Sequence, residues 1–252
     1  TAVDEYPRHY RCRRPADGSL TLDEASEQLL LDPNALADGG YLSLGAFTIS
    51  PDQRLLGYSL DTTGDEIYRL YVKDLETGQL TELPFDDCDG SICWANDSQT
   101  LFFAELDDTH RPHKLYRYHL GAADAHLVFN EPDGRFFIHC YRTSSERHLV
   151  LASGSKTTSD AWVLDAGRPS DAFICVSPRQ EGHEYEVDHG LLDGQWRWFI
   201  RSNQAGINFA LYTAPEDTPE HAHWQLLRPH DPQVMLEDID LNSTAHVLSL
   251  RE

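Results

Sequence analysis

Cations are scarce in this 252-residue chain: 20 lysines and arginines stand against 42 aspartates and glutamates, a formal net charge of −22. That balance argues against nucleic acid as a partner. Apolar residues make up 40% of the chain, yet no run reaches the roughly 20 residues that a membrane-spanning helix needs. The first residues show no basic stretch followed by an apolar one, so no secretory signal is expected. The five cysteines, Cys12, Cys88, Cys93, Cys140 and Cys175, include no Cys-x-x-Cys pair. An odd set of this kind reads as reduced, mostly buried thiols in a cytoplasmic protein. A Gly-x-Ser-x-Gly nucleophile elbow is also missing. Helical periodicity is scarce; residues 22–31 are the best candidate, and 28–31 there reads equally well as a strand.

What the chain has instead is a repeat. A polar turn recurs at Pro51-Asp52, Asn96-Asp97, Ser144-Ser145, Leu192-Asp193-Gly194 and Asn242-Ser243. From 51 to 96, 144, 192 and 242 the intervals are 45, 48, 48 and 50 residues. An apolar strand follows each turn, at 55–58, 101–104, 149–152, 196–200 and 247–250, and a third strand follows in the first four units, at 68–72, 114–118, 160–164 and 209–212. A weaker fourth strand comes after a turn such as Leu75-Glu76-Thr77-Gly78 or His119-Leu120-Gly121. Four strands per unit at this period predict an all-β chain built as a β-propeller of four-stranded antiparallel blades. Val, Leu, Tyr and Phe alternating with polar residues predict one buried face per strand.

Four units read as whole blades: 41–84, 90–132, 136–181 and 184–230. Within 1–40, the stretch 6–32 reads as the later strands of an earlier blade, and 234–252 as the first two strands of a later one. A half-blade cannot bury its faces without neighbours on both sides, so the expectation is a piece of a larger ring, incomplete at both ends. The alternative is a self-contained ring of four or five blades, closed by pairing the terminal units. Exposed half-blade edges would favour an edge-to-edge dimer.

The order of short motifs carries a resemblance. Glu27-Gln28-Leu29-Leu30-Leu31-Asp32-Pro33-Asn34, Ser50-Pro51-Asp52, Gly64-Asp65-Glu66-Ile67-Tyr68 and Lys73-Asp74-Leu75-Glu76-Thr77-Gly78 are followed by Trp94-Ala95-Asn96-Asp97 and Arg111-Pro112. Thr143-Ser144-Ser145, His183-Glu184-Tyr185, Arg201-Ser202-Asn203 and Asn208-Phe209 continue the series nearly end to end. In this order and spacing the chain resembles the propeller domain of the oligopeptidase B (protease II) branch of the prolyl oligopeptidase family of serine peptidases. The resemblance implies a seven-bladed propeller inserted near the start of an α/β-hydrolase domain that holds the catalytic Ser, Asp and His. It implies a parent enzyme that cleaves short peptides after Arg or Lys, with the propeller capping the active site and excluding folded proteins. This chain then contributes no catalytic residue and is inactive alone. The carboxylates that grip the basic side chain would also lie in the hydrolase domain. A net charge of −22 would concentrate cationic peptides, or would simply keep the protein soluble. A free-standing propeller used as a binding scaffold is the other function class.

The resemblance singles out Glu66. In the family, the acidic position of this turn faces the hydrolase domain and pairs with an arginine there, latching the domains closed; Asp65 is the local second choice. The alternatives are a hydrated turn acid or a partner for Arg69. Ser153-Gly154-Ser155 and Gly90-Ser91 lack the strand–elbow–helix context of a nucleophile and read as turn hydroxyls. His110, His113, His183, His189, His221 and His223 have no cysteine near enough to complete a zinc set, so no metal and no cofactor is expected. The tryptophans at 94, 162, 196, 198 and 224 read as packing between blades.

Overall fold

The computed structural model describes residues 4–15, 23–242 and 245–252; Leu22 and Ser243, named above, lie outside them. The chain is all-β. β1 (His9–Arg11) pairs antiparallel with β2 (Gln28–Leu31), and a one-turn helix α1 (Pro33–Ala37) follows. Asp32 caps α1 by accepting from the Asn34 N–H, and Pro33 supplies the fixed φ of its first turn. No α-helix forms over the described part of 22–31: Glu24–Ser26 is a single 3-10 turn, and Leu30 and Leu31 are buried in a strand.

Four four-stranded sheets come next. The first blade holds β3 (Ser43–Ile49), β4 (Leu55–Asp61), β5 (Arg69–Asp74) and β6 (Leu80–Glu82). The second holds β7 (Cys93–Trp94), β8 (Thr100–Leu106), β9 (Pro112–His119) and β10 (His126–Asn130). The third holds β11 (Phe137–Arg142), β12 (His148–Gly154), β13 (Ser159–Asp165) and β14 (Ile174–Ser177). The fourth holds β15 (Tyr185–Leu192), β16 (Gln195–Ser202), β17 (Ala210–Pro215) and β18 (Gln225–Arg228). A two-stranded sheet of β19 (Met235–Leu241) and β20 (His246–Arg251) ends the order. Spatial neighbours are sequence neighbours in every sheet, so each blade needs only hairpin turns.

The apolar core lies between the blades. Leu30 and Leu31 pack with Leu56, Tyr58 and Leu60 of the first blade. Leu70 and Val72 meet Trp94, Leu101 and Phe103 of the second. Phe102, Ala104 and Leu115 meet Ile138, Leu149 and Leu151 of the third. Val150 and Val163 meet Val187, Trp198 and Ile200 of the fourth. Phe199 and Leu211 meet Leu236 and Leu241 of the terminal hairpin. This corrects the expectation of one buried face per strand. The second strand of each blade is buried on both faces, and all seven residues of β4 are buried. A blade sandwiched between two others has no solvent face in its middle strands.

The recurrent polar turns share one geometry. Gln53, Ser98 and Glu146 occupy the same position with φ of 61°, 56° and 58°, a left-handed conformation uncommon outside glycine. Their N–H groups donate back to Ser50 O, Ala95 O and Thr143 O. Aspartates tie other turns. Asp74 accepts from the N–H groups of Thr77 and Glu76 and from Arg54 at 2.9 Å each, and these bonds, led by Thr77, pull its carboxyl down to about 2. The side chain of Arg135 holds Asp133 down to about 2 in the same way. Asp107, bonded by Thr109 Oγ1 and the backbone of its turn, also lies well below the usual range.

One polar network crosses a seam. Arg179, just past β14, binds Glu131 of the linker after β10, Asp160 of β13 at 2.9 Å and Ser153 of β12 at 3.0 Å. Its guanidinium lies 3.6 Å over the Phe136 ring. The Glu131 and Asp160 side chains are only 2% and 4% exposed. Burial pushes both carboxyls up. At Glu131 the bonds from Arg179, Ser153 and the Asp133 N–H outweigh burial and hold it below its ordinary value, whereas at Asp160 burial wins. One cation thus serves two buried acids.

Arg179→Ala leaves both carboxylates buried without their cation, and should cost about 3–5 kcal/mol in urea unfolding. Arg54→Ala, at an exposed pair, should cost far less. Equal costs would remove the network from its structural role. Acid should act through the turn aspartates. Their folded pKa values lie below the unfolded value of about 3.9. The stability they contribute is therefore complete above that pH and lost as pH falls through the folded values near 2. Thermal unfolding at pH 6, 4 and 2.5 should show a falling midpoint, with a shallower fall in Asp107→Asn.

Candidate functional site

Strands alternate in direction, so the turns between second and third strands leave each blade at the same end as the linkers to the next blade. The acidic turn 62–68 sits on this face. Asp61, at the end of β4 and 1% exposed, builds it: one carboxylate oxygen accepts from Thr63 N, Thr63 Oγ1 and Gly64 N, and the other from Glu66 N at 3.1 Å. Burial raises the Asp61 carboxyl, and the three backbone N–H bonds together hold it below the usual carboxylate range. Gly64 and Glu66 take left-handed φ values of 87° and 63°. These two left-handed residues turn the Asp65 and Glu66 side chains outward, and both are exposed. Asp65 accepts from Ile67 N, and the Thr63 hydroxyl leads in holding its carboxyl below the ordinary value. Arg69 is engaged by Asp86 rather than by Glu66, and Glu66 forms no ion pair among the described residues. The same face carries the Arg111 guanidinium, which bonds Asp107 and donates to Phe136 O at 2.8 Å, fixing the second linker.

A cleft of about 600 Å³ opens beside the first strands β11, β15 and β19. Four carboxylates line it (Glu184, Glu186, Asp188 and Asp238) against two guanidiniums, Arg142 and Arg201. Arg142 is spent elsewhere, donating to Trp94 O at 2.6 Å and to Asn96 Oδ1 and Glu146 O. Arg201 pairs with Glu186 at 3.1 Å and lies 4.0 Å over Phe209. Asp188 accepts from Ser144 N at 2.8 Å and from its hydroxyl. The acid excess registers on Tyr141, whose phenol burial first, and then Asp188 and Glu186, push above its usual pKa. Phe199, Phe209 and Tyr141 supply an aromatic wall. Carboxylates over aromatic rings favour a cation.

No nucleophile is activated there. Ser153 donates to Glu131 at 2.8 Å, Ser155 to Thr158 O and Ser159 to Tyr185 O, and no histidine lines the cleft. Ser91 is tied to Asp89 at 2.6 Å. Three of the histidines named from spacing are engaged by separate groups: His113 Nδ1 lies 3.2 Å from Glu105 O, His183 Nε2 2.8 Å from Ser202 Oγ and His221 Nε2 2.7 Å from Gln204 Oε1. Sequence reading missed Asp61, Asp188 and Asp238. Only Asp61 left a signal, because an aspartate two to five residues before Thr63, Gly64 and Glu66 is a turn-capping pattern.

The prolyl oligopeptidase N-terminal β-propeller domain model matches residues 2–252. The chain is 34% identical over 224 residues to dipeptidyl aminopeptidase BI of Pseudoxanthomonas mexicana, covering 87% of this chain and 30% of that protein. It is 31% identical to Protease 2 of Moraxella lacunata, covering 84% of this chain and 30% of that one. The chain therefore spans about 30% of the length of these relatives. Oligopeptidase B from Leishmania major superposes with a TM-score of 0.83 at 26% identity, over 98% of this chain and 35% of that one. Oligopeptidase B from Trypanosoma brucei with covalently bound antipain, in its closed form, gives 0.80 at 24%, over 96% and 34%. Seam-packed four-stranded blades, the motif order and the match over residues 2–252 lead to one assignment: the chain belongs to the prolyl oligopeptidase family of serine peptidases, and forms the N-terminal β-propeller of that family.

Proposed function

We propose that this propeller filters and gathers substrate for an α/β-hydrolase domain of the same protein, and that the whole enzyme cleaves short peptides after Arg or Lys. The observation that carries the reading is the cleft beside the first strands, where four carboxylates face two already engaged guanidiniums. Such a wall draws cationic peptides and raises their encounter rate. Glu66 is the proposed contact to the hydrolase domain. Its turn is fixed from within by Asp61, its carboxylate points outward, and the nearby arginine is taken by Asp86. It is thus free to form a charge-assisted pair with an arginine across an interface. Five free cysteines support a reducing, cytoplasmic setting.

A second reading has its own support. A 34% identical relative bears the name dipeptidyl aminopeptidase, so release of dipeptides from a free N-terminus is the rival activity. The full-length protein should be assayed with fluorogenic peptides bearing Arg before the scissile bond, with blocked and with free N-termini. Hydrolysis of blocked substrates, abolished by a serine-directed phosphonate, supports the oligopeptidase reading. Cleavage of free N-termini alone supports the exopeptidase. Silence on both favours a binding scaffold.

In the full-length enzyme, Glu66→Gln should lower kcat/KM about ten-fold, the scale of one lost charged contact, while leaving the thermal midpoint of the isolated propeller unchanged. Unaltered kinetics would remove Glu66 from the interface. Raising salt from 50 to 500 mM should lower kcat/KM for a dibasic peptide several-fold more than for a peptide with one basic residue. Parallel slopes would mean that the acidic lining does not gather substrate.

A further inference from the structure

The seam between the third and fourth blades holds a second cluster, on the opposite face from Glu66. His148 opens β12, His189 lies within β15 and Glu216 follows β17. Their donor atoms lie within 4.8 Å of one another. His148 Nδ1 and His189 Nε2 are buried and have no hydrogen-bond partner among the described residues, and His189 is 0% exposed. Leaving such buried atoms unpaired is costly.

One proton order along a hydroxyl chain leaves His189 Nε2 bare. Thr143 Oγ1 lies 3.2 Å from His148 O and 2.9 Å from Ser145 Oγ; with its proton on His148 O it accepts from Ser145 Oγ. Ser145 Oγ in turn accepts from His189 Nδ1 at 2.8 Å. In that order the ring proton is on Nδ1, and Nε2 presents a bare lone pair toward Glu216 Oε1, 3.8 Å away. A hydrogen bond on the remote nitrogen is how proteins orient a ligating imidazole. Trp198 contacts both rings, with centroids at 4.7 and 4.8 Å, and fixes their planes. A pocket of about 150 Å³, lined by Asn96, Arg147, His148, Asp165 and Glu216, adjoins two of the three groups. It has room for a water on an open ligand position.

We propose that His148, His189 and Glu216 form a binding site for a divalent transition-metal ion of the zinc class, stapling the third blade to the fourth. Two imidazoles and one carboxylate suit zinc, cobalt or nickel rather than magnesium or calcium. Tetrahedral bonds of about 2.0–2.1 Å place ligand atoms about 3.3 Å apart, so the trio must draw in by no more than about 1.5 Å. Arg147 opposes this. Its Nε and Nη2 hold Glu216 Oε1 at 3.0 and 2.8 Å, and its guanidinium rests 4.9 Å from the Trp196 ring centre. Arg147 is exposed and can swing into solvent, so it acts as a place-holder that the ion displaces.

The test uses untagged protein, freed of metal by a chelator and titrated with Co²⁺, with Zn²⁺ as competitor. The expected result is one equivalent of cobalt with the intense visible bands of a four-coordinate ion, displaced by zinc, and a thermal midpoint raised by zinc but not by magnesium. His148→Gln should abolish the bands, and Glu216→Gln should weaken binding at least ten-fold. Arg147→Ala should tighten it, which a merely structural loss would not do. His189 is too deeply buried for its replacement to be a clean probe. Absence of four-coordinate cobalt, or equal binding by wild type and a folded His148→Gln variant, would overturn the site.

Discussion

A four-stranded sheet has two apolar faces and cannot keep either in water, and every other feature of this molecule follows from that constraint. Each blade is stable only as a partner. The clusters that form the core therefore belong to seams rather than to blades, with one side of each supplied by the preceding sheet and one by the next. The outer strands, open to solvent on their far edge, can be short and polar: β6 is exposed at all three residues. The second strands carry the packing.

The two ends of the blades then take up different work. Where first and second strands join, each turn locks to the next blade: Asp52 N donates to Ser98 Oγ at 3.0 Å, Asn96 reaches Glu146 O, and Ser144 bonds Asp188 of β15. At the opposite end, carboxylates are consumed in shaping loops, as Asp61 and Asp107 do, and arginines in clamping linkers, as Arg111 and Arg179 do. The acids left over on that face, Asp65 and Glu66, point outward. A charge of −22 is thus not uniform decoration. Part of it is spent internally on backbone N–H groups, and part lines the cleft beside β11 and β15.

The architecture was legible because a turn repeated every 45 to 50 residues survives in sequence whatever the packing. Ser50-Pro51-Asp52 and its later counterparts marked the hairpins, and the intervening strands fell where expected. The double-sided burial of the second strands was less visible, since Ser59 and Asp61 in β4 look like polar alternation yet are buried, satisfied by Gly90 O and by N–H groups. Sites assembled across seams were not legible at all. His148, His189 and Glu216 are separated by 41 and 27 residues (189 − 148 and 216 − 189) and meet only because the third blade leans on the fourth. The short histidine pairs, from which no metal was expected, take no part in that cluster: His113 lies by Glu105 O and His221 by Gln204 Oε1. Glu66 stood out only through its family resemblance; its exposure and left-handed backbone come from the fold.

The sorting of the second strands has a consequence for how changes combine. Phe102 and Phe103 are identical, adjacent and equally buried, yet one faces the third blade and the other packs with the first. Leu149 and Val150, or Phe199 and Ile200, divide in the same way. Energetic coupling therefore runs across the seams, between residues about one repeat apart, while chain neighbours answer to different partners and combine nearly additively. Along these strands, proximity in sequence is the poorest guide to which residues must change together.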